Sequence, residues 1–447
     1  MTGNNIKNFS IVKLSWPIFI QRLLSMCLGY VDTAMVSNYS ELAVGAIGNA
    51  SQIINFLTLA FSIIATATGV VVSQYLGANK TEKMDQIYTL SVFFNLVLSG
   101  LISIIVTVFS TALLNFMKLP AVMMGDAEAY MRIVGLFLFT NGVMQVFTQI
   151  FNCNGRTEIG MLIFFFINVV NILGNYLFLF GPLENLGLGV KGVAISTSIS
   201  NGVGLVISVI AFIFIIKGRI SLKYFRPFPK AMLFKLIKLG IPTAGENISY
   251  NISQICITIF VNLLGPLAIT TKIYCNILCN FSIVYSSSVA GAASIITGHA
   301  VGRGDYDYAY KRVMKTLFWA MLISMAIAGC NLLLSPFTFR LFTDNQDVIK
   351  LGFNIMLIGL FLEFGRTSNL VIIQSMRAAG DVVFPTVLGI FSMWGISVVF
   401  SWIFTRFFNF GLPGVWIAMA MDEIFRGIVV FIRWQRGTWR GKSVVRQ

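Results

Sequence analysis

The chain has 447 residues, 57% of them hydrophobic and 11% charged, with a mean hydropathy of +0.83. Soluble domains carry about 45–50% apolar and about 25% charged residues, so this chain has too little polar surface to coat a water-soluble globule. The net charge of +15 raises the question of nucleic acid, and the placement of the charges answers it.

Twelve apolar runs follow one another at about 11–37, 44–76, 88–113, 128–151, 158–181, 190–216, 236–264, 267–300, 313–339, 348–376, 382–408 and 413–433. Each reaches or exceeds the roughly 20 residues that cross a bilayer. Lipid offers the backbone no hydrogen-bond partner, so each is predicted to be a helix. Several are longer than a span needs and are expected to tilt or to extend past the headgroups. The first run is long and lacks an A-x-A-like site, so it is expected to be retained rather than cleaved.

Lys and Arg alternate with the gaps between these runs. The even-numbered gaps and both termini collect 22 of the 32, with Lys217, Arg219, Lys223, Arg226, Lys230, Lys235 and Lys238 crowding the central gap. Arg433, Arg436, Arg440, Lys442 and Arg446 crowd the C-terminus. The odd-numbered gaps and their flanks hold only seven: Lys118, Arg132, Lys191, Lys272, Arg340, Lys350 and Arg406. This is the positive-inside pattern, which places both termini and the central loop in the cytoplasm. A basic loop on such a protein signals topology and meets anionic headgroups, so no nucleic-acid partner is expected. Of six cysteines, all but Cys153 fall inside predicted helices, where they read as small packing residues. Cys275 and Cys279 share a helix face, but no nearby histidine completes a metal set. His299 is the only histidine.

The two halves overlay. Lys13-Leu14-Ser15-Trp16-Pro17 opens the first run and Lys238-Leu239-Gly240-Ile241-Pro242 the seventh, a shift of 225 residues. V-V-S-Q-Y-L-G-A-N-K at 71–80 matches I-T-G-H-A-V-G-R-G-D at 296–305 at the same shift. Gly155 matches Gly380, and Gly192-Val193 matches Gly414-Val415 at a shift of 222. Four matches in order point to duplication. Six crossings per unit leave the repeats parallel. The predicted organisation is therefore an N-terminal lobe 1–216, a basic linker 217–235 and a C-terminal lobe 236–447.

Five acids fall within the runs: Asp32, Glu246, Glu363, Asp422 and Glu423. A charge near the bilayer centre costs about 2.5–3.5 kcal/mol on insertion scales, so such groups face a cavity or a partner. The fifth run offers Asp32 company. Asn171 and Asn175 are four apart and share a face, with Asn168 one turn earlier. The sixth run places Ser196 and Thr197 near its start. A carboxylate, two amide oxygens and a hydroxyl make a hard-oxygen set for Na⁺, or one that tunes a proton on Asp32. Alternatively the asparagines only join helices by hydrogen bonds. Glu246 follows Pro242 in an unusually polar stretch with Asn247, Ser249, Tyr250, Asn251 and Gln254, which reads as a cavity wall. Glu363 either pairs with Arg366, three residues on, or faces the cavity as a second cation-binding acid. Asp422, Glu423 and Arg426 read as mutual neutralisation.

Taken together, V-D-T-A-M-V-S fifteen residues after W-P, the two-lobe repeat, Q-Y-L-G-A, the N-x-x-x-N of the fifth run and R-A-A-G-D resemble the multidrug and toxic compound extrusion (MATE) transporters. The resemblance covers essentially the whole chain. It implies an all-α integral membrane protein with twelve transmembrane helices in two pseudo-symmetric six-helix bundles around a central cavity. It implies efflux of organic, often cationic compounds in exchange for Na⁺ or H⁺. Carried over residue by residue, its cation-coupling site falls on Asp32, Asn171, Asn175 and Thr197, with Asp32, Asn171 and Asn175 as the Na⁺ ligands. In some members the position of Asn175 is an aspartate, and the amide here lowers the charge. Glu246, Tyr250 and Glu363 fall at second-lobe cavity positions. Other members carry the seventh-helix glutamate where this chain has Tyr250, with Glu246 a turn earlier.

Related flippases for lipid-linked sugars usually have fourteen helices and a more cationic cavity. A major facilitator protein would show G-x-x-x-D-R between its second and third helices, where this chain reads G-A-N-K-T-E-K-M. An intramembrane enzyme would need a nucleophile and base, and no HExxH or nucleophile elbow occurs. We therefore expect a monomeric secondary transporter of small organic substrates in the lipid bilayer of the cell membrane. It would need no cofactor beyond its coupling ion, Na⁺ or H⁺.

Overall fold

A computed structural model describes residues 10–445; Arg446, counted above among the C-terminal basic residues, lies outside them. Among the described residues the protein is helical, with no strand. The long helices are α1 (Ile11–Tyr39), α2 (Glu41–Gly77), α3 (Thr81–Val108), α4 (Ala121–Leu136 and Leu138–Cys153), α5 (Thr157–Leu179) and α6 (Val190–Ile216). They continue as α7 (Lys230–Asn262), α8 (Pro266–Arg303), α9 (Tyr306–Arg340), α10 (Gln346–Ala378), α11 (Val383–Arg406) and α12 (Gly411–Gln435). Each overlaps one predicted run.

Among the described residues, nine helices are long and apolar enough to cross a membrane, ten when the two parts of α4 count as one. The parts of α4 are bent by 47° at Phe137, a break that the continuous run 128–151 conceals. The remaining two, α7 and α12, are of similar length but more polar. α7 carries Glu246, Asn247, Asn251 and Gln254 in its middle, and α12 carries Asp422, Glu423 and Arg426. Their polarity marks them as walls of something other than lipid.

Local signals set the helix ends. The Ser40 side chain accepts from the Ala43 amide at the start of α2, and Asp305 from the Tyr308 amide at the start of α9. Asn345 accepts from the amides of Asp347 and Val348 at the start of α10. Each side chain satisfies an otherwise orphaned first-turn donor. Gly155 (φ 74°) and Gly380 (φ 96°), paired by the repeat, follow the ends of α4 and α10 in the left-handed conformation that glycine adopts at least cost.

The helices form two compact units. One comprises Trp16–Val72 and Lys80–Ala244. Of the described residues, the other comprises 10–15, Ser73–Asn79 and 245–445. Its core includes Val313, Ile372, Met376 and a stacked pair of fully buried tryptophans, Trp434 and Trp439, with ring centroids 4.1 Å apart. The end of α2 joins this second unit through a reciprocal contact. A Cβ on Gly77 would strike the backbone carbonyl of His299, and a Cβ on Gly302 would strike that of Gln74. Gly302 and His299 are the repeat partners of Gly77 and Gln74 at the 225-residue shift. The duplication thus appears in space as two helix ends crossing at matched glycines. Large apolar side chains such as Leu101, Ile104, Phe214, Phe361 and Phe391 stay exposed, as lipid contact requires.

Candidate functional site

Each unit contains a polar pocket built by its own helices. In the first unit a cavity of about 560 Å³ is lined from α1, α2, α4 and α6, and among the described residues Asp32 is the only charged one on its wall. Ser51, Asn55, Tyr130, Asn141, Thr197 and Asn201 add neutral polar groups to an otherwise apolar lining.

Behind Asp32 runs a chain of side-chain hydrogen bonds. Asn175 Nδ2 donates to Asp32 Oδ1 at 2.6 Å and to Asn171 Oδ1 at 3.2 Å. Asn171 Nδ2 donates to Thr197 Oγ1 at 3.3 Å. Both asparagines are fully buried. Their four-residue spacing sets them on one face of α5, while Asp32 comes from α1 and Thr197 from α6. α5 and α6 meet closely because Gly174 leaves room for Ser196, whose hydroxyl donates to the Asn171 carbonyl at 2.9 Å. Asn168 stands apart and donates within its own helix to the Phe164 carbonyl.

The donor set suits an alkali ion or a proton. It holds one carboxylate and neutral oxygens, without the imidazole or thiolate that zinc and copper select. Asn175 Oδ1 is buried and has no hydrogen-bond partner. An unsatisfied buried acceptor beside a carboxylate is where a small cation gains most, because burying that oxygen unpaired is costly.

The second unit holds a smaller cavity, about 260 Å³, lined from α7, α8, α10, α11 and α12. Glu246 and Tyr250 lie on its wall, as do Arg366, Arg377, Glu423 and Arg426. Glu246 is buried against Gly389 of α11 and forms an ion pair with Arg377 of α10. Glu363 does not line this cavity. Its Oε2 pairs with Arg366 Nη1 at 3.1 Å. Its Oε1 accepts from Ser286 at 2.9 Å, Ser324 at 2.7 Å and Thr367 at 3.3 Å. One nitrogen of Arg426 bridges Asp422 at 2.8 Å and Glu423 at 3.0 Å. Asp422 also accepts from Ser392, and Glu423 from Asn369 at 2.8 Å.

The Arg426 bridge yields a prediction. Arg426→Met strands buried Asp422 and half-buried Glu423 and should cost about 3–5 kcal/mol, the usual penalty for removing one partner of a buried pair. Arg426→Lys keeps the charge and should cost much less. Thermal unfolding of the purified variants distinguishes them, and equal losses would show that packing rather than charge holds the site.

The sequence profile of the MatE family matches residues 17–177 and 242–403. The chain belongs to the MatE family. The two matched stretches begin 225 residues apart, so the profile repeats with the duplication. The uncharacterised transporter YisQ of Bacillus subtilis is 36% identical over 438 residues, covering 98% of this chain and 96% of that protein. The probable multidrug resistance protein NorM of Thermotoga maritima is 24% identical over 444 residues, covering 97% and 94%. Among solved structures, a MOP superfamily transporter from Pyrococcus furiosus superposes with a TM-score of 0.88 at 20% identity, over 98% of each chain. That likeness establishes the fold. This MatE chain is thus a multi-pass membrane transporter, and not an enzyme.

Several residues on the first cavity's wall escaped the sequence reading. Ser51 and Asn55 form an i, i+4 polar pair on apolar α2, and Asn201 stands four residues after the already named Thr197 on α6. That spacing was the available signal. Tyr130 and Asn141 flank the bend of α4 and carried none.

Proposed function

We propose that this MatE transporter exports organic compounds, often cationic, in antiport with Na⁺ or H⁺, by alternating access of its two units. One observation carries the reading: a single carboxylate, Asp32, stands on the wall of the larger cavity, tied to a buried asparagine whose own oxygen lacks a partner. Asp32, Asn171, Asn175 and Thr197 are the coupling residues in this proposal, with Na⁺ or H⁺ as transported ion rather than resident cofactor. The ion and an organic cation compete for one negative charge. Each therefore lowers the other's occupancy, and an exchange cycle follows.

The energetics suffice. A tenfold ion gradient supplies about 1.4 kcal/mol and 100 mV adds about 2.3 kcal/mol per charge, enough for roughly a 500-fold gradient of a neutral compound. For a monovalent cation exchanged one for one, the voltage contribution cancels. The proposal places the chain in the cell membrane with both termini cytoplasmic, supported by the alternation of basic residues along the sequence.

The test is efflux of a fluorescent organic cation from vesicles holding the purified chain, with Na⁺ and pH gradients imposed separately. Efflux driven by at least one gradient is expected. Efflux that ignores both would sink the antiport reading.

A further inference from the structure

Arg22 places a positive charge in the middle of α1. The helix runs 29 residues from Ile11 to Tyr39, so its midpoint falls at Ser25, and Arg22 lies one turn before it. A charge at that depth is costly in lipid and marks a function or a partner. Among the described residues no carboxylate forms an ion pair with Arg22. Its side chain is exposed, and lipid does not account for the exposure. Between residues 22 and 33 the exposed residues of α1 are Arg22, Ser25, Gly29, Tyr30 and Thr33, while every leucine, valine and methionine of that stretch is partly covered. A strip without aliphatic side chains faces water. Phosphate headgroups stand half a hydrocarbon core away, about 15 Å.

The strip continues into the first cavity, whose wall includes Ser25, Gly29, Asp32 and Thr33. Gly29 and Thr33 fall within about 20° of Arg22 around the helix, at about 100° per residue. Arg22 therefore stands one turn beyond Ser25, the first α1 residue on the wall, at the end of the cavity nearer the helix start. Asp32 lies about 15 Å further along the axis. The duplication gives independent support. Asn247 and Tyr250 are the partners of Arg22 and Ser25 at the 225-residue shift, and both line the second unit's cavity. The same helix position thus serves a cavity wall in the other half.

We infer that Arg22 binds the anionic group of an organic compound held in the first cavity. A guanidinium presents a planar fork of donors that matches a carboxylate. With Asp32 at the other end, the ligand is a zwitterion: its cationic group at Asp32, its carboxylate at Arg22, the charges up to about 15 Å apart. Leu28, Ile47 and Val134 supply apolar wall for the body between them. The cationic half of this assignment rests on the proposed role of Asp32, and the anionic half does not. A zwitterion carries no net charge, so the membrane voltage contributes in full to its exchange for one cation.

The experiment is calorimetric titration of the purified full chain in lipid nanodiscs at neutral pH with 8-aminooctanoate, its methyl ester and octanoate. The ester keeps the ammonium group and the chain but loses the carboxylate. 8-Aminooctanoate should bind about tenfold tighter than the ester, the discrimination expected when a charge-assisted hydrogen bond is gained or lost. Arg22→Gln should abolish that advantage while leaving the affinity for the ester unchanged, and Arg22→Lys, which keeps the charge without the fork, should retain part of it. Equal affinities of the parent chain for 8-aminooctanoate and the ester overturn the inference, as does an advantage that survives Arg22→Gln. An ester that does not bind the parent chain sinks the role of Asp32 instead, and octanoate then decides. Octanoate bound about tenfold more weakly by Arg22→Gln than by the parent chain upholds the anionic site, and an unchanged affinity overturns it.

Discussion

Asp32→Asn should reduce gradient-driven efflux to the level of vesicles without protein, while leaving expression and folding unchanged. The two halves of that expectation have separate causes. The side chain keeps its size, so no cavity opens. An amide in place of the carboxylate also relieves the cost of a charge in the bilayer, about 2.5–3.5 kcal/mol on insertion scales. The 2.6 Å contact with Asn175 survives, because one amide can present its oxygen to another. What disappears is the one formal charge that the described residues place on the cavity wall. An ion that meets a neutral wall has no reason to displace an organic cation, so the two flows uncouple. Binding of the fluorescent cation should weaken as well. Size-exclusion profiles and efflux under each gradient together check the prediction. A variant that pumps at the wild-type rate would move the coupling charge elsewhere, with Glu423 and Glu246 the next carboxylates on a cavity wall.

How far the sequence could carry this picture depends on the range of the interaction. The helices were legible because hydrophobic length is a local property, and each of the twelve runs overlaps a helix. The bend at Phe137 was not, since Gly135 beside it is one of many glycines in the apolar runs and does not single it out. Asn171 and Asn175 could be placed on one face from spacing alone. Their meeting with Asp32, 143 residues from Asn175, is a tertiary fact that periodicity could not supply and that came from family resemblance. Arg377 shows the same limit without that help. By position it reads as one more basic residue at a cytoplasmic helix end, yet its side chain turns inward to Glu246, 131 residues away in sequence. Arg366 and Arg426 sit one turn from their acids, so those pairs were open to inspection. The sequence read Glu246 as part of a polar cavity wall, and its ion pair with Arg377 is the tertiary fact that reading lacked.

The glycine crossing supports a prediction of a different kind, about stability rather than transport. Neither Gly77 nor Gly302 adopts a positive φ, so each is required for space and not for backbone conformation. Gly77→Val pushes its Cβ into the carbonyl of His299, and Gly302→Val does the same to Gln74. Both obstacles are backbone atoms within helices, which no rotamer change can move aside. Overpacking of this kind costs about 1–3 kcal/mol, and each variant should unfold at a lower temperature than the parent. The diagnostic measurement is the double variant. The two contacts lie across one crossing of two helix ends, and once the first valine has pried them apart, the second meets open space. The double variant should therefore lose clearly less than the sum of the single losses, a coupling of about 0.5–3 kcal/mol by the standards of residues that share a packing shift. Additive losses would mean that the two glycines relieve independent clashes, and the reciprocal contact would then be a coincidence of the duplication rather than one joint.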